Sequence, residues 1–151
     1  MPAVQTTYDA SIPLGFPGQV ANGETSNRIS RTVEDAAGIA FGKAAFRGAG
    51  DHGVTATPTA GGLMGFVIAD HGVQILPGGV AADIVPQYGS AALLALGMMW
   101  VVAGEAVTDG AQVYITAGGL IVDTAGANII APGWFFDDTA ASGAMVRIVR
   151  R

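Results

Sequence analysis

Four groups of residues have the types and spacing to do chemistry. Gly48-Ala49-Gly50-Asp51-His52-Gly53 fits the G-x-G-x-x-G fingerprint letter for letter. In a dinucleotide site that turn opens a helix, whose first amides and dipole meet the pyrophosphate. Here Val54-Thr55-Ala56-Thr57-Pro58 follows, β-branched and broken by proline, so a plain glycine-rich loop is expected and no cofactor. Asp-His-Gly occurs at 51–53 and again at 70–72 and holds both histidines, His52 and His71. Two imidazoles and two carboxylates could ligate zinc or iron if those loops converged. Neither pair has the i, i+4 spacing of a helical ligand face, and Asp-x-Gly is ordinary turn material. Turns are therefore the expected reading, with no metal, and titration calorimetry with Zn²⁺ or Ni²⁺ decides it. Asp137-Asp138 could be a proton-sharing pair, but neighbours on a strand point to opposite faces, so a solvated turn is expected there. The serines are Ser11, Ser26, Ser30, Ser90 and Ser142, none in a G-x-S-x-G elbow, and the one lysine, Lys43, has no P-loop around it. With no cysteine there is no thiol nucleophile or thiolate metal site. No catalytic constellation emerges, and a non-enzymatic role is expected.

The elements that would position these residues are short strands. At 151 residues the chain allows one domain. Its 23 glycines and 7 prolines disfavour long helices, since an interior Gly costs about 1 kcal/mol and a Pro about 3. From Arg28 onward apolar segments alternate with turn residues, as in an all-β sandwich or barrel. Strands are expected near 29–33, 38–47, 63–69, 79–85, 91–96, 98–103, 111–116, 119–123, 133–136 and 144–149. Gly118-Gly119 marks the clearest hairpin and Thr108-Asp109-Gly110 another turn. Thr-Ala-Gly-Gly-Leu stands at both 59–63 and 116–120, which shared turn-to-strand geometry explains. The only helix candidate is Thr32–Ala37, stopped by Gly38. Residues 1–27, with three prolines and scattered apolar side chains, read as an extended N-terminal arm that docks onto something, ahead of a domain at 28–151. Deleting residues 2–24 should leave that domain folded.

Charge narrows the function classes. Only 13% of residues are charged and the net charge is -5, while half are hydrophobic. An ordinary domain has roughly 25% charged residues. So apolar a surface fits a subunit that buries area against other subunits. All seven cations lie at Arg28, Arg31, Lys43, Arg47, Arg147, Arg150 and Arg151. Seven cations in an acidic chain are poor material for displacing counterions from phosphates, so no nucleic-acid partner is expected. The basic residues at 28–47 and at the C-terminus either neighbour each other, face an acidic partner, or pair with the protein's own acids. The longest apolar run, Ala91–Ala103, is too short for a membrane-spanning helix of about 20 residues, so no membrane role is expected. The first nine residues carry no positive side chain, so no secretory signal is expected.

A resemblance covers nearly the whole chain. Leu14-Gly15-Phe16-Pro17-Gly18-Gln19-Val20-Ala21-Asn22, Ile29-Ser30-Arg31-Thr32-Val33-Glu34 and Ile39-Ala40-Phe41-Gly42-Lys43-Ala44 with Arg47-Gly48 come in the order found in structural cement (head decoration) proteins of tailed bacteriophages. Gly65–Asp70 resembles that family's central strand, Tyr88-Gly89-Ser90 with Gly97–Val101 its segment leading to a Gly-x-x-Trp-Val strand, Val107–Tyr114 its following turn and strand, and Ala144–Ile148 its closing strand. One departure is the Ala-rich stretch Ala91–Leu96, where the family carries more polar residues. The resemblance implies a single-domain β-sandwich of jelly-roll type on the outer surface of an HK97-type capsid, made in the host cytoplasm. It implies two partners: the major capsid protein, and further copies of the chain in a trimer or dimer. On that reading Leu14, Phe16, Pro17, Arg28, Arg31 and Arg47 contact the shell, and Trp100, Trp134 and Phe135 pack in the oligomer. The alternative is a virion-displayed carbohydrate- or receptor-binding β-sandwich, for which Trp100 and Trp134 are the candidate sugar platforms.

Overall fold

An apolar run interrupted by one glycine can be two strands or one, and here it is one. The computed structural model describes residues 15–70 and 83–151, and its longest element is the strand Ser90–Val102. Gly97 sits at φ +125°, backbone that only glycine enters freely. The strand changes partners there instead of turning back. In chain order the described strands are β1 (Asn27–Val33), β2 (Ile39–Ala40), β3 (Ala44–Arg47), β4 (Gly53–Thr55), β5 (Leu63–Val67), β6 (Ile84–Val85), β7 (Ser90–Val102), β8 (Gln112–Ile115), β9 (Ile121–Val122), β10 (Ile129–Phe136) and β11 (Met145–Arg150).

The all-β expectation holds, but the jelly-roll arrangement is corrected. Strands β1, β4, β3, β5 and β7 are hydrogen-bonded in that order, and β1 pairs back onto β7 from Asn27↔Leu96 to Thr32↔Ser90. That closes a five-stranded barrel, in which β1 and β4 run parallel and the other pairs antiparallel. Closure leaves no free edge in this half. Beyond Gly97 the same strand pairs with β11, from Gly97↔Arg150 to Val102↔Met145, and the sheet continues through β10, β8 and β9. A bridge between Ala103 and Ile121, with Gly104 N–H donating to the Ile121 carbonyl at 2.7 Å, brings β9 back to the end of β7.

Period-2 alternation divides the apolar residues between two cores. Val33, Ala45, Val54, Val67, Ala91 and Leu93 draw on all five barrel strands and pack together with Ile39, Phe41 and Val85. Their sequence neighbours Ala44, Phe46, Phe66 and Leu94 face the other way. They join Met99, Val101, Val113, Ile115, Trp134, Phe136, Val146 and Ile148 in the larger core. At its centre Trp134 is fully buried, with the Phe66 ring edge-on at 4.8 Å between centroids.

Several local expectations are revised. The stretch 38–47 breaks into β2 and β3 because Gly42, at φ +73°, turns the chain between them. Of the expected 79–85 strand, the part before Asp83 lies outside the described residues, and Ile84–Val85 pairs with Ile39–Ala40. Strand β4 was not expected. The helix candidate at Thr32–Ala37 is the end of β1 followed by one turn, closed by Gly38 N–H to the Asp35 carbonyl at 2.9 Å. The hairpin over Gly118-Gly119 forms as expected. The repeated pentapeptide makes two different turns: each closes with an amide donating to the first Thr carbonyl, but the positive φ falls on its third residue at Gly61 and on its fourth at Gly119. The described part of residues 1–27 is hydrogen-bonded to β7. Gly18 and Ala21 N–H donate to the Trp100 and Met98 carbonyls, and Trp100 N–H donates to the Gln19 carbonyl. Deleting residues 2–24 would strip these bonds from β7, so a deletion ending at Leu14 is the better probe of an arm.

Candidate functional site

Two of the residues expected to meet a partner are already engaged within the chain. Gly15 lies against the indole of Trp100, so closely that a Cβ there would stand 2.7 Å from it. The Arg147 guanidinium sits over the same ring, 5.5 Å from its centroid. Trp100 is thus partly covered by its own chain, and Trp134 is wholly enclosed. The assignment of Trp134 to oligomer packing is corrected for that reason, since it has no surface to give to another subunit. Phe135, the third member of that set, is different. It is exposed beside Pro132 and Ile130 on the outer face of β10, paired with Val149 of β11. Leu14 lies outside the described residues. Phe16 is half-exposed, and with Pro17 it lines an apolar cleft of about 550 Å³ shared with Phe41 and Val102 and flanked by Lys43 and Asp83.

The arginines divide into two sets. At the C-terminus Arg147 makes a forked ion pair with Asp138, Nε to Oδ2 at 2.7 Å and Nη2 to Oδ1 at 2.5 Å. Arg151 bonds Glu24 at 2.9 Å and lies 3.9 Å from Asp137. Arg150 donates to the Ala95 carbonyl. None of Arg28, Arg31 and Arg47 has a carboxylate within ion-pair distance among the described residues. Arg31 instead donates to the Ser30 carbonyl at 2.7 Å. Among the described residues the protein's own acids therefore pair with Arg147 and Arg151 and leave the arginines on β1 and β3 without a carboxylate partner.

Asp137 and Asp138 lie in the bend that follows β10 and reach different arginines. The Arg147 side chain, donating to Asp138, holds that carboxyl below its ordinary range, against a smaller opposing effect of burial. A carboxylate depressed in the folded state stabilises the fold above its unfolded pKa and loses that contribution as pH falls through the folded value. Both side chains are about one-third exposed, so the contribution is small, under about 1 kcal/mol. Thermal melts should show wild type losing more stability than Asp138→Asn as pH drops below about 4. Superimposable acid profiles would contradict this.

The G-x-G-x-x-G segment holds an anion, but the anion belongs to the protein. Glu34 places its carboxylate in the loop, accepting Ala49 N–H at 2.8 Å and Gly50 N–H at 2.7 Å. Asp35 accepts Thr55 Oγ1–H at 2.8 Å and Ala56 N–H at 2.5 Å on the far side of β4. The two acids clamp the strand that follows the loop. Sequence reading placed them in a short helix; the signal it missed was three glycines, Gly48, Gly50 and Gly53, leaving room for a carboxylate. A Cβ on Gly53 would overlap Glu34 Oε1. Glu34→Ala and Gly53→Ala should each cost about 1–3 kcal/mol by freeing the loop amides. The double variant should cost little more than either alone, because both remove the same contact. Fully additive costs in urea titrations would refute this account.

His52 is exposed on that loop, its carbonyl accepting Thr32 N–H at 2.9 Å, and His71 lies outside the described residues. Among the described residues no three His, Asp or Glu side chains group as metal ligands do, and no helix is long and apolar enough to cross a membrane.

The comparisons with known proteins agree with this picture. No curated protein matches the chain. A chain in the solved capsid of Myoviridae Phage XM1 shares the fold, with a TM-score of 0.70 at 14% identity over 99% of this chain and 97% of that one. The head fiber gp8.5 N base of bacteriophage phi29 gives a TM-score of 0.47 at 16% identity, over 84% and 95% of the two chains, too slight a likeness to argue from. The family model described as "Structural cement protein (E217 gp24/Pam3 gp6)" matches residues 4–151. A match that spans both halves of the fold and the segment leading into them decides the matter: the chain belongs to the phage structural cement protein family.

Proposed function

We propose that this protein decorates the outer surface of an HK97-type phage head and stabilises contacts between major capsid subunits, binding as a homo-oligomer. Family membership over residues 4–151 carries the reading. The surface supports it. Arg28, Arg31 and Arg47 offer charge with no carboxylate partner among the described residues to carboxylates of the shell, while Phe16 and Pro17 of the arm offer an apolar edge. The exposed residues Ile130, Pro132 and Phe135 suit a contact between copies. Each contact is shallow, and a lattice multiplies modest energies into firm attachment.

Co-sedimentation with shells lacking the protein tests this, with salt titrated and the protein's mass measured by light scattering. Saturation at a fixed ratio to the major capsid subunit is expected, weakening as salt rises. Changing Arg28, Arg31 and Arg47 together to Gln should weaken binding about 10- to 100-fold, as three partly exposed charge pairs of up to 1 kcal/mol each would, and should flatten the salt dependence. Failure of the wild-type protein to sediment with shells at low salt would end the proposal.

A further inference from the structure

Tyr88 differs from the other described side chains in two respects. It is the only non-glycine residue among them with a positive φ, at 63°. It is also the most exposed of the large hydrophobic side chains, at 78%. L-residues with a Cβ rarely enter that left-handed region, and a tyrosine there is held only where the surroundings over-determine it. They do so here. Tyr88 N–H donates to the Val33 carbonyl at 2.8 Å, and Val33 N–H donates to the Gly89 carbonyl at 3.0 Å. Gly89 N–H closes a turn onto Pro86 at 2.9 Å, and Gln87 Nε2–H reaches the Glu34 carbonyl at 2.9 Å. These bonds fix the loop to the end of β1 and direct a large ring into solvent, where it contributes nothing to either core.

Beside it, along β1 and the start of β7, the only exposed charge is that of Arg28, while the exposed Asp51 lies on the loop across the other edge of β1. Thr32 pairs with Ser90, next to the loop. From there the exposed residues of β1 and the start of β7 are Ser90, Thr32, Ser30, Arg28 and Asn27, with no carboxylate among them. We infer that Tyr88 and this face of β1 form one docking surface, in which the ring enters a pocket on an acidic protein surface and Arg28 meets its carboxylates. The inference rests on the proposed cement function, and the acidic surface is that of the shell. Aromatic and arginine side chains held in advance by a rigid backbone are what interface centres use, because little ordering remains to be done on binding.

Tyr88→Gly separates the ring from the backbone. Glycine adopts φ 63° freely, so the variant should melt at or slightly above the wild-type temperature while binding shells at least 10-fold more weakly. Tyr88→Phe should bind within about 3-fold of wild type. Salt should still weaken Tyr88→Gly to the wild-type degree, whereas Arg28→Gln should keep the ring's contribution and show a shallower salt dependence. Wild-type affinity in Tyr88→Gly, or a lower melting temperature showing that the ring supports the fold, overturns the inference and leaves the cement function standing. Dissociation of a Tyr88→Gly oligomer in light scattering would assign the ring to a second copy and overturn it as well. Absence of shell binding by the wild-type protein overturns both readings.

Discussion

Replacing Trp134 with alanine should lower stability by about 3–5 kcal/mol, the cost of losing a large aromatic side chain from a sealed core. Phe66 meets the indole edge-on, and the surrounding Met99, Val101, Val113, Ile115 and Ile148 come from three strands whose registers are set by the ladder. A domain has only about 5–15 kcal/mol in total, so the variant should melt at least about 10 °C lower. Trp134→Phe should cost much less than its lost volume suggests. The indole Nε1–H is buried with no hydrogen-bond partner among the described residues, and removing a buried unpaired donor offsets part of the packing loss. Equal melting temperatures for Trp134→Ala and wild type would mean that the large core is not where the stability resides.

The second large effect is expected at Gly65. It lies on β5 opposite Ala45 of β3, where the β3–β5 register shifts, with φ +151°. A Cβ there would stand 2.5 Å from the Leu94 carbonyl oxygen and 3.0 Å from its carbon. The obstacle is backbone of β7, which pairs with β5 at Phe66↔Leu94 and so cannot retreat without breaking the barrel wall. Gly65→Ala should therefore destabilise by about 2–4 kcal/mol, combining an unfavourable φ with overpacking. Gly61→Ala is the natural control. It has φ +70° with nothing within 4 Å of its would-be Cβ, so it should cost only about 1 kcal/mol. If denaturant melts give the two variants the same loss, the close approach of β5 to β7 does not matter energetically.

Short-range chemistry is where the sequence served well. Alternating apolar residues, the Gly118-Gly119 hairpin, the Gly110 turn and the absence of long helical stretches all follow from φ preferences and period-2 burial, which act within a few residues. The same local reasoning read Gly48–Gly53 as a loop that no helix follows, and a strand follows it. Its errors were equally local. Gly97 reads as a break because a glycine in a strand usually marks one, yet only the exchange of β1 for β11 as partner shows why the strand runs through it. Glu34 and Asp35 read as the first turn of a helix because their partners, residues 49–50 and 55–56, come more than a dozen positions later.

What the sequence determined by itself was the fold class, the turn positions and the shortage of charge, and with these the family resemblance. Tertiary structure alone decided that five strands close into a barrel, that Trp134 belongs to the chain's own core, and that Arg28, Arg31 and Arg47 have, among the described residues, no acid partner of the kind that Arg147 and Arg151 have. The physical reason is the same in each case. Alternation says which residues turn inward, but ring closure, burial and ion pairing depend on which distant segment arrives at the other side, and that is fixed by register and packing across the whole chain.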